Sequence, residues 1–191
     1  WAARIEADRQ ALARLLTGEN GKVLRLSEGE VAAAVSELRY YAGQARAMRG
    51  GVQEVEPGVF STILREPAGV AAIIVPWNGP VSLLIRSLAP ALAAGCTCVV
   101  KPAPQTALVT AATLKHLAAV EALPKGTVQL VLEAGMAASK HLVASEEVDV
   151  VSFTGSSAVG QQIMVAAASN MKKLSLELGG KSCRLVFEDA D

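Results

Sequence analysis

The chain has 191 residues, of which 51% are apolar and 19% charged, with a mean hydropathy of +0.35; it can build one substantial core and is too apolar to stay disordered. Eighteen Lys and Arg balance eighteen Asp and Glu, and a formal net charge of zero argues against nucleic acid or an anionic membrane surface as a partner. Three cysteines are too few, and an odd number, for a disulfide framework, so a reducing compartment, the cytoplasm, is expected; two histidines leave no room for a His-rich metal site.

The opening residues carry Arg4, Glu6 and Asp8 where a secretory leader would run apolar. The chain starts at Trp1 and stops at Asp191 with no terminal signal, and it reads as a piece of a longer protein. Residues 1–16 are rich in helix formers and are closed by Gly18, Asn20 and Gly21. A second helix is predicted from about Glu28 to Met48, with Val31, Val35, Leu38 and Ala42 on one face. Val52–Val55 and Val59–Leu64 read as two strands turned by Pro57-Gly58. From Gly69 onward, short apolar runs alternate with helical stretches. The runs are Val70–Val75, Cys96–Val100, Val128–Leu132, Val148–Phe153, Leu174–Leu178 and Cys183–Phe187. Between them lie Pro80–Ala94, Thr106–Val120, Met136–Ala144 and Ser156–Ser169. The most apolar region, Val81–Val100, is interrupted by Arg86, Pro90 and Gly95 and does not make a membrane span. Strands without polar alternation are usually buried on both faces, so the fold class is α/β: a doubly wound, mostly parallel sheet preceded by helices and a short hairpin.

Four segments at predicted strand ends could carry chemistry. Open α/β sheets bind ligands at such ends. Pro76-Trp77-Asn78-Gly79-Pro80 is a stiff loop whose carboxamide could donate to a reacting oxygen, or Asn78 could simply cap the next helix. Gly79 and Val81 beside it suggest an open, apolar entrance. Lys101, ahead of Pro102 and Pro104, could reach sugar hydroxyls or phosphate, or be a solvated lysine. Phe153-Thr154-Gly155-Ser156 through Gly160 is a strand-to-helix turn that could bind an anion, or a tight turn capped by Ser156. It is neither a dinucleotide fingerprint nor a P-loop. Glu177, before Leu178, Gly179, Gly180 and Lys181, ends an apolar strand; burial there would raise its pKa toward that of a general base, or it could pair with Lys181. Cys96, Cys98 and Cys183 read as small buried hydrophobes.

Taken together, Pro76-Trp77-Asn78, Lys101-Pro102, Phe153-Thr154-Gly155-Ser156 with Gly160, and Glu177-Leu178-Gly179-Gly180-Lys181 resemble the aldehyde dehydrogenase superfamily in order and spacing. Leu64–Val70 resembles the family's lead-in to its first nucleotide-binding strand. The resemblance implies a Rossmann-like domain binding NAD or NADP over residues 67–191, with 1–66 as helices and hairpin of the same domain. It implies that Asn78 is the side-chain donor of an oxyanion hole and Glu177 the general base. It implies cofactor contacts by Trp77, Lys101, Pro104, Gly135, Gly155, Ser156, Val159, Gly160, Leu178 and Gly179, with Lys101 on the adenosine ribose. It implies a small-molecule aldehyde as substrate, a homo-oligomer as the full-length state, and no metal. In the family's mechanism a cysteine thiolate attacks the aldehyde, hydride passes to the nicotinamide, and the glutamate activates water to release the acid from a thioester.

The sequence departs from the resemblance in three places. The nucleophilic cysteine would lie beyond Asp191, since Cys96, Cys98 and Cys183 do not fit that role. Pro104 stands where many members carry a glutamate for the ribose hydroxyls, which implies weaker discrimination against a 2′-phosphate. Leu132-Glu133 replaces a common Pro-Gly pair. The expected function is thus a fragment of an acid-forming, NAD(P)-dependent aldehyde dehydrogenase, inactive by itself. The alternative is a non-catalytic nucleotide-binding or structural module.

Overall fold

The computed structural model describes residues 1–180 and 183–190. The first stretch forms two helices, α1 (Ala2–Ala7) and α2 (Arg9–Asn20), and Gly21 ends α2 in the left-handed conformation with φ 76°. The next helix, α3 (Leu24–Gln44), begins and ends ahead of the stretch predicted by its apolar spacing. The antiparallel hairpin β1 (Gly51–Glu56) and β2 (Val59–Ile63) turns at Pro57-Gly58, and all its residues are exposed. The alternation then runs β3 (Val70–Val75), α4 (Pro80–Ala93), β4 (Thr97–Pro102), α5 (Ala107–Ala118), β5 (Val128–Leu130), α6 (Ala137–Ala144), β6 (Val150–Thr154), α7 (Ser157–Ala167) and β7 (Lys173–Glu177).

The last five strands form one parallel sheet in the order β5-β4-β3-β6-β7. This is the doubly wound sheet that the sequence predicts. The order reverses between β3 and β6, and the carboxyl ends of strands at such a switch point are where open α/β sheets bind ligands. One expected strand is corrected: Cys183–Phe187 forms none, and Leu185, Val186 and Phe187 are exposed. Among the described residues it pairs with no strand, and an unpaired run has no ladder of hydrogen bonds to hold it.

The layers follow from the burial pattern. On one sheet face Ala71, Ile73 and Val75 of β3 pack with Leu84 and Leu88 of α4 and Leu114 and Leu117 of α5. On the other face Ala72, Val151 and Phe153 pack with Leu142 of α6 and Ile163 and Ala167 of α7. The other side of α4 offers Val81, Ile85 and Ala89 to α1–α3, where Ile5, Leu12, Leu16, Val31 and Val35 complete a further core. Thus α4 is apolar on two faces because it is sandwiched between the sheet and the N-terminal helices. Burying each such Leu, Ile or Val contributes roughly 1.5–3 kcal/mol, so residues before the sheet are integral to its stability. Val81 is fully buried in this packing, which corrects the idea that it lines an entrance.

Polar contacts fasten the N-terminal helices to the sheet's carboxyl edge. Glu30 of α3 accepts hydrogen bonds from the backbone N–H groups of Val81 (2.8 Å) and Ser82 (3.2 Å), capping α4. Lys22 pairs with Glu30, and the two side chains are only 19% and 6% exposed. Glu19 likewise caps α5, accepting from Leu108 N–H (2.6 Å) and Val109 N–H (2.8 Å). A carboxylate at a helix N-terminus satisfies amides that lack intrahelical partners and offsets the helix dipole.

Glu30→Ala leaves Lys22 buried without its partner and uncaps α4. It is expected to cost about 3–5 kcal/mol, as for breaking a buried pair from one side. Chemical denaturation measures this, and Glu30→Gln, which retains an acceptor for the amides, is expected to lose less.

Candidate active site

Every site segment singled out in the sequence lies at the carboxyl end of a parallel strand. The β3–α4 loop carries Trp77 and Asn78, β4 ends in Lys101, and the β5–α6 loop holds Glu133 and Gly135. The β6–α7 turn carries Gly155 and Ser156, and β7 ends in Glu177, followed by Leu178 and Gly179.

The Trp77–Asn78 loop is held by its backbone. Asn20 Nδ2 donates to the Trp77 carbonyl (3.0 Å), and Lys22 Nζ donates to the Asn78 carbonyl (2.8 Å). The residue at the N-cap of α4 is Gly79, and Glu30 takes the first free amides. Asn78 is therefore not the helix cap. Its side chain is exposed and makes no hydrogen bond among the described residues, so its carboxamide is free to meet a ligand. Trp77 beside it is 55% exposed.

The β6–α7 turn and the end of β7 form one patch. Gly155 N–H donates to the Glu177 carbonyl (3.0 Å). Ser156 caps α7, its Oγ accepting from Val159 N–H (3.3 Å). Glycine is required here for close packing. A Cβ on Gly155 would fall 2.4 Å from the Phe153 ring, and one on Gly160 would fall 2.5 Å from the Leu178 side chain. Gly160 thus sits under Leu178, while Val159 is half-buried on the first turn of α7. Gly179 is exposed beside this patch.

Glu177 differs from expectation. Its side chain is 63% exposed, and it faces Arg86 of α4 at 3.8 Å. The reason is that β7 is the sheet's edge: Ser175 and Glu177 alternate outward while Leu174 and Leu176 turn inward. The burial expected there is absent among the described residues. Lys181, the alternative partner, lies outside them. An ion pair this exposed adds little to stability.

Lys101 is not a solvated lysine. Its side chain is 7% exposed, and Nζ lies 3.7 Å from Oε1 of Glu133. Glu133 also accepts from Ala138 N–H (2.9 Å), Ser139 N–H (3.2 Å) and Ser139 Oγ (3.2 Å), capping α6. The Ala138 amide foremost, opposed by burial and aided by Ser139 and Lys101, holds the Glu133 carboxyl below the usual carboxylate range. Pro104 is exposed at the start of a 3₁₀ turn, and Gly135 is exposed on its loop. A carboxylate does therefore stand beside Lys101, from the β5–α6 loop rather than from position 104.

Cys96 and Cys98 are buried, and burial first, then the neighbouring Cys96, pushes the Cys98 thiol up to about 12. Cys98 is thus a neutral thiol near pH 7, unsuited to nucleophilic attack. Cys183 is exposed, contrary to its reading as a core residue, because the strand that would bury it does not form.

Glu19, Asn20, Lys22, Glu30 and Arg86 carry no site role in the sequence alone. Glu19–Lys22 carried a local signal, a polar cluster around an Asn-Gly turn, but it reads only as a helix end. Its partners lie 56 to 90 residues away.

Comparison with known proteins agrees with this arrangement. The family model described as "Aldehyde dehydrogenase family" matches residues 1–191. Aldehyde dehydrogenase family 2 member C4 of Arabidopsis thaliana is 43% identical over 194 residues, covering 100% of this chain and 38% of that protein. The NADP(+) succinate-semialdehyde dehydrogenase of Saccharomyces cerevisiae is 42% identical over 183 residues, covering 94% of this chain and 37% of that one. Among solved structures, betaine aldehyde dehydrogenase from Staphylococcus aureus in complex with NAD+ superposes with a TM-score of 0.90 at 39% identity, covering 94% of this chain and 36% of that chain. The chain thus spans little more than a third of the length of these relatives. With a match that runs from its first residue to its last and a fold that superposes as closely, the chain belongs to the aldehyde dehydrogenase family.

Proposed function

We propose that the chain is the cofactor-binding part of an NAD(P)-dependent aldehyde dehydrogenase that oxidises an aldehyde to a carboxylic acid. Residues 67–191 form the binding domain, and 1–66 belong to it through the core shared with α4. The observation that carries this reading is the Asn78 carboxamide: exposed and unbonded among the described residues, on a loop whose backbone is clamped by Asn20 and Lys22. A donor held in advance of the reaction is what an oxyanion site needs.

The residues present fit the cofactor. The N-termini of α4, α5 and α6 are occupied by carboxylates of Glu30, Glu19 and Glu133, whereas α7 is capped by the neutral Ser156 at an exposed turn. That end of α7 is left to take the negative charge of a pyrophosphate. Lys101 and the groove beside Pro104 suit the adenosine end; Trp77, Leu178 and Gly179 border the path between. When bound, NAD(P) accepts a hydride from the substrate carbon. Asn78 donates to the oxygen that becomes negative during attack. Glu177, exposed at the end of β7 and oriented by Arg86, takes a proton from the water that releases the acid. Because the carboxylate is exposed here, the environment that tunes it comes from the remainder of the protein, as does the nucleophilic cysteine, and the chain alone is inactive.

The exposed hairpin β1–β2, with Val52, Phe60 and Ile63 on its surface, supports burial against other parts of the full-length protein or a second copy in a homo-oligomer. No helix among the described residues is long and apolar enough to cross a membrane, and the cysteine usage supports a reducing compartment such as the cytoplasm.

In the full-length protein, Asn78→Ala is expected to slow the first turnover about 10²–10³-fold, as for loss of one oxyanion donor, with little change in thermal unfolding. Near-normal activity would remove Asn78 from the chemistry. Glu177→Gln is expected to lower steady-state turnover about 10²–10⁴-fold while leaving a rapid burst of nicotinamide reduction, read by rapid-mixing absorbance. A non-catalytic module predicts cofactor binding without any burst in the unmodified full-length protein.

A further inference from the structure

We propose that Glu133 is a cofactor-specificity residue: its carboxylate, beside Lys101, binds the 2′-hydroxyl of the adenosine ribose and excludes a 2′-phosphate, so that the protein prefers NAD to NADP. The inference rests on the cofactor reading above and goes beyond it by naming which cofactor and why.

Three observations carry it. First, Lys101 Nζ makes no hydrogen bond to any described residue although its side chain is 93% buried, the complement of its 7% exposure. A lysine held this deeply, with no carbonyl or carboxylate among the described residues within hydrogen-bond distance of its ammonium, marks a place where a ligand oxygen can complete the site. Second, the gap between Nζ and Glu133 Oε1 is 3.7 Å, too long for a direct hydrogen bond. A hydroxyl can close it, accepting from the ammonium and donating to the carboxylate. A phosphate can accept from the ammonium, but it has no proton to offer the carboxylate and is repelled by it. Third, Glu133 lines a groove at the sheet's carboxyl edge with Pro102, Pro104, Ala107, Leu132 and Ala134, and Lys101 lies just behind it. Among the described residues no cation lines that groove to neutralise a phosphomonoester, which carries about −1.5 to −2 charges near pH 7.

The carboxylate cannot readily swing aside. Its oxygens accept from the Ala138 and Ser139 amides and the Ser139 hydroxyl, which fix it on the first turn of α6. The same contacts favour its ionised form, so the charge persists through neutral pH. Capping alone accounts for the bonds to α6. It does not account for a buried lysine set opposite them with an unfilled gap.

The test is calorimetric binding of NAD and NADP to the full-length protein and to Glu133→Gln, which keeps an acceptor for Ala138 and removes the charge. The wild-type protein is expected to bind NAD more tightly, and the variant to lose about tenfold of that preference, mainly through tighter NADP binding; this is the scale of one fixed charge at a partly exposed site. An unchanged ratio in a folded variant overturns the proposal and leaves Glu133 as a helix cap only. A wild-type protein that prefers NADP overturns it as well. If neither dinucleotide binds the wild-type protein, the cofactor reading itself fails, and this proposal with it. Should Glu133→Gln not fold, competition on the wild-type protein decides. Adenosine 5′-monophosphate is expected to displace a bound nucleotide about tenfold better than adenosine 2′,5′-bisphosphate, by the same single-charge argument. Equal or reversed potency overturns the proposal.

Discussion

The pairing of Lys22 with Glu30 is the constraint on which the site depends. Both side chains are largely buried, and each has work on the β3–α4 junction: Lys22 holds the Asn78 carbonyl, and Glu30 holds the first free amides of α4. The loop that presents Asn78 is therefore gripped at its carbonyl and again at the helix that follows. Asn20 adds a third hold at Trp77, and Glu19 extends the same corner to α5. Four residues, Glu19 and Asn20 at the end of α2, Lys22 in the turn and Glu30 in α3, thus fix the height of the Trp77–Asn78 loop and the start of α5 relative to the N-terminal helices. Their side chains act on backbone groups, so the functional side chains above them remain uncommitted.

The same arrangement distributes charge along the sheet's carboxyl edge. Helix N-termini attract anions wherever their amides are free. Three of the four sheet-flanking helices have this attraction satisfied by glutamates, from α2, α3 and the β5–α6 loop. The fourth, α7, has only a serine hydroxyl. In the proposed reading an incoming dinucleotide phosphate would meet one open helix dipole rather than four, and a negative charge at the adenosine end would meet Glu133. Orientation of a long anionic ligand then follows from which amides are already taken.

The fold was legible because burial decides it locally. Val70–Val75 and Val148–Phe153 are continuous apolar runs because both sheet faces are covered, and Val31, Val35 and Leu38 show a helical stripe because one face is. Cys183–Phe187 misled for the same reason: an apolar run specifies a strand only where a neighbour offers an edge. Glu177 misled because its position at the end of an apolar strand does not reveal that β7 is the outermost one. The motif residues Asn78, Lys101, Ser156 and Glu177 were found at the correct edge of the sheet because strand-to-loop junctions are visible in the sequence. The role of Glu133 was not legible, since it depends on β4 and β5 being neighbours, which places residue 101 next to residue 133. Lys22 and Glu30 were hidden likewise, behind contacts that cross more than fifty residues.

Hydrogen exchange at single-residue resolution tests the central constraint most directly, with Lys22→Met compared to the unmodified protein. If the buried pair holds the loop, Val81 and Ser82 lose protection as Glu30 is released, while Leu108 and Val109, capped independently by Glu19, keep theirs. Unchanged protection at Val81 and Ser82 would show that Lys22 does not govern the cap of α4, and the account of how the site is positioned would be wrong.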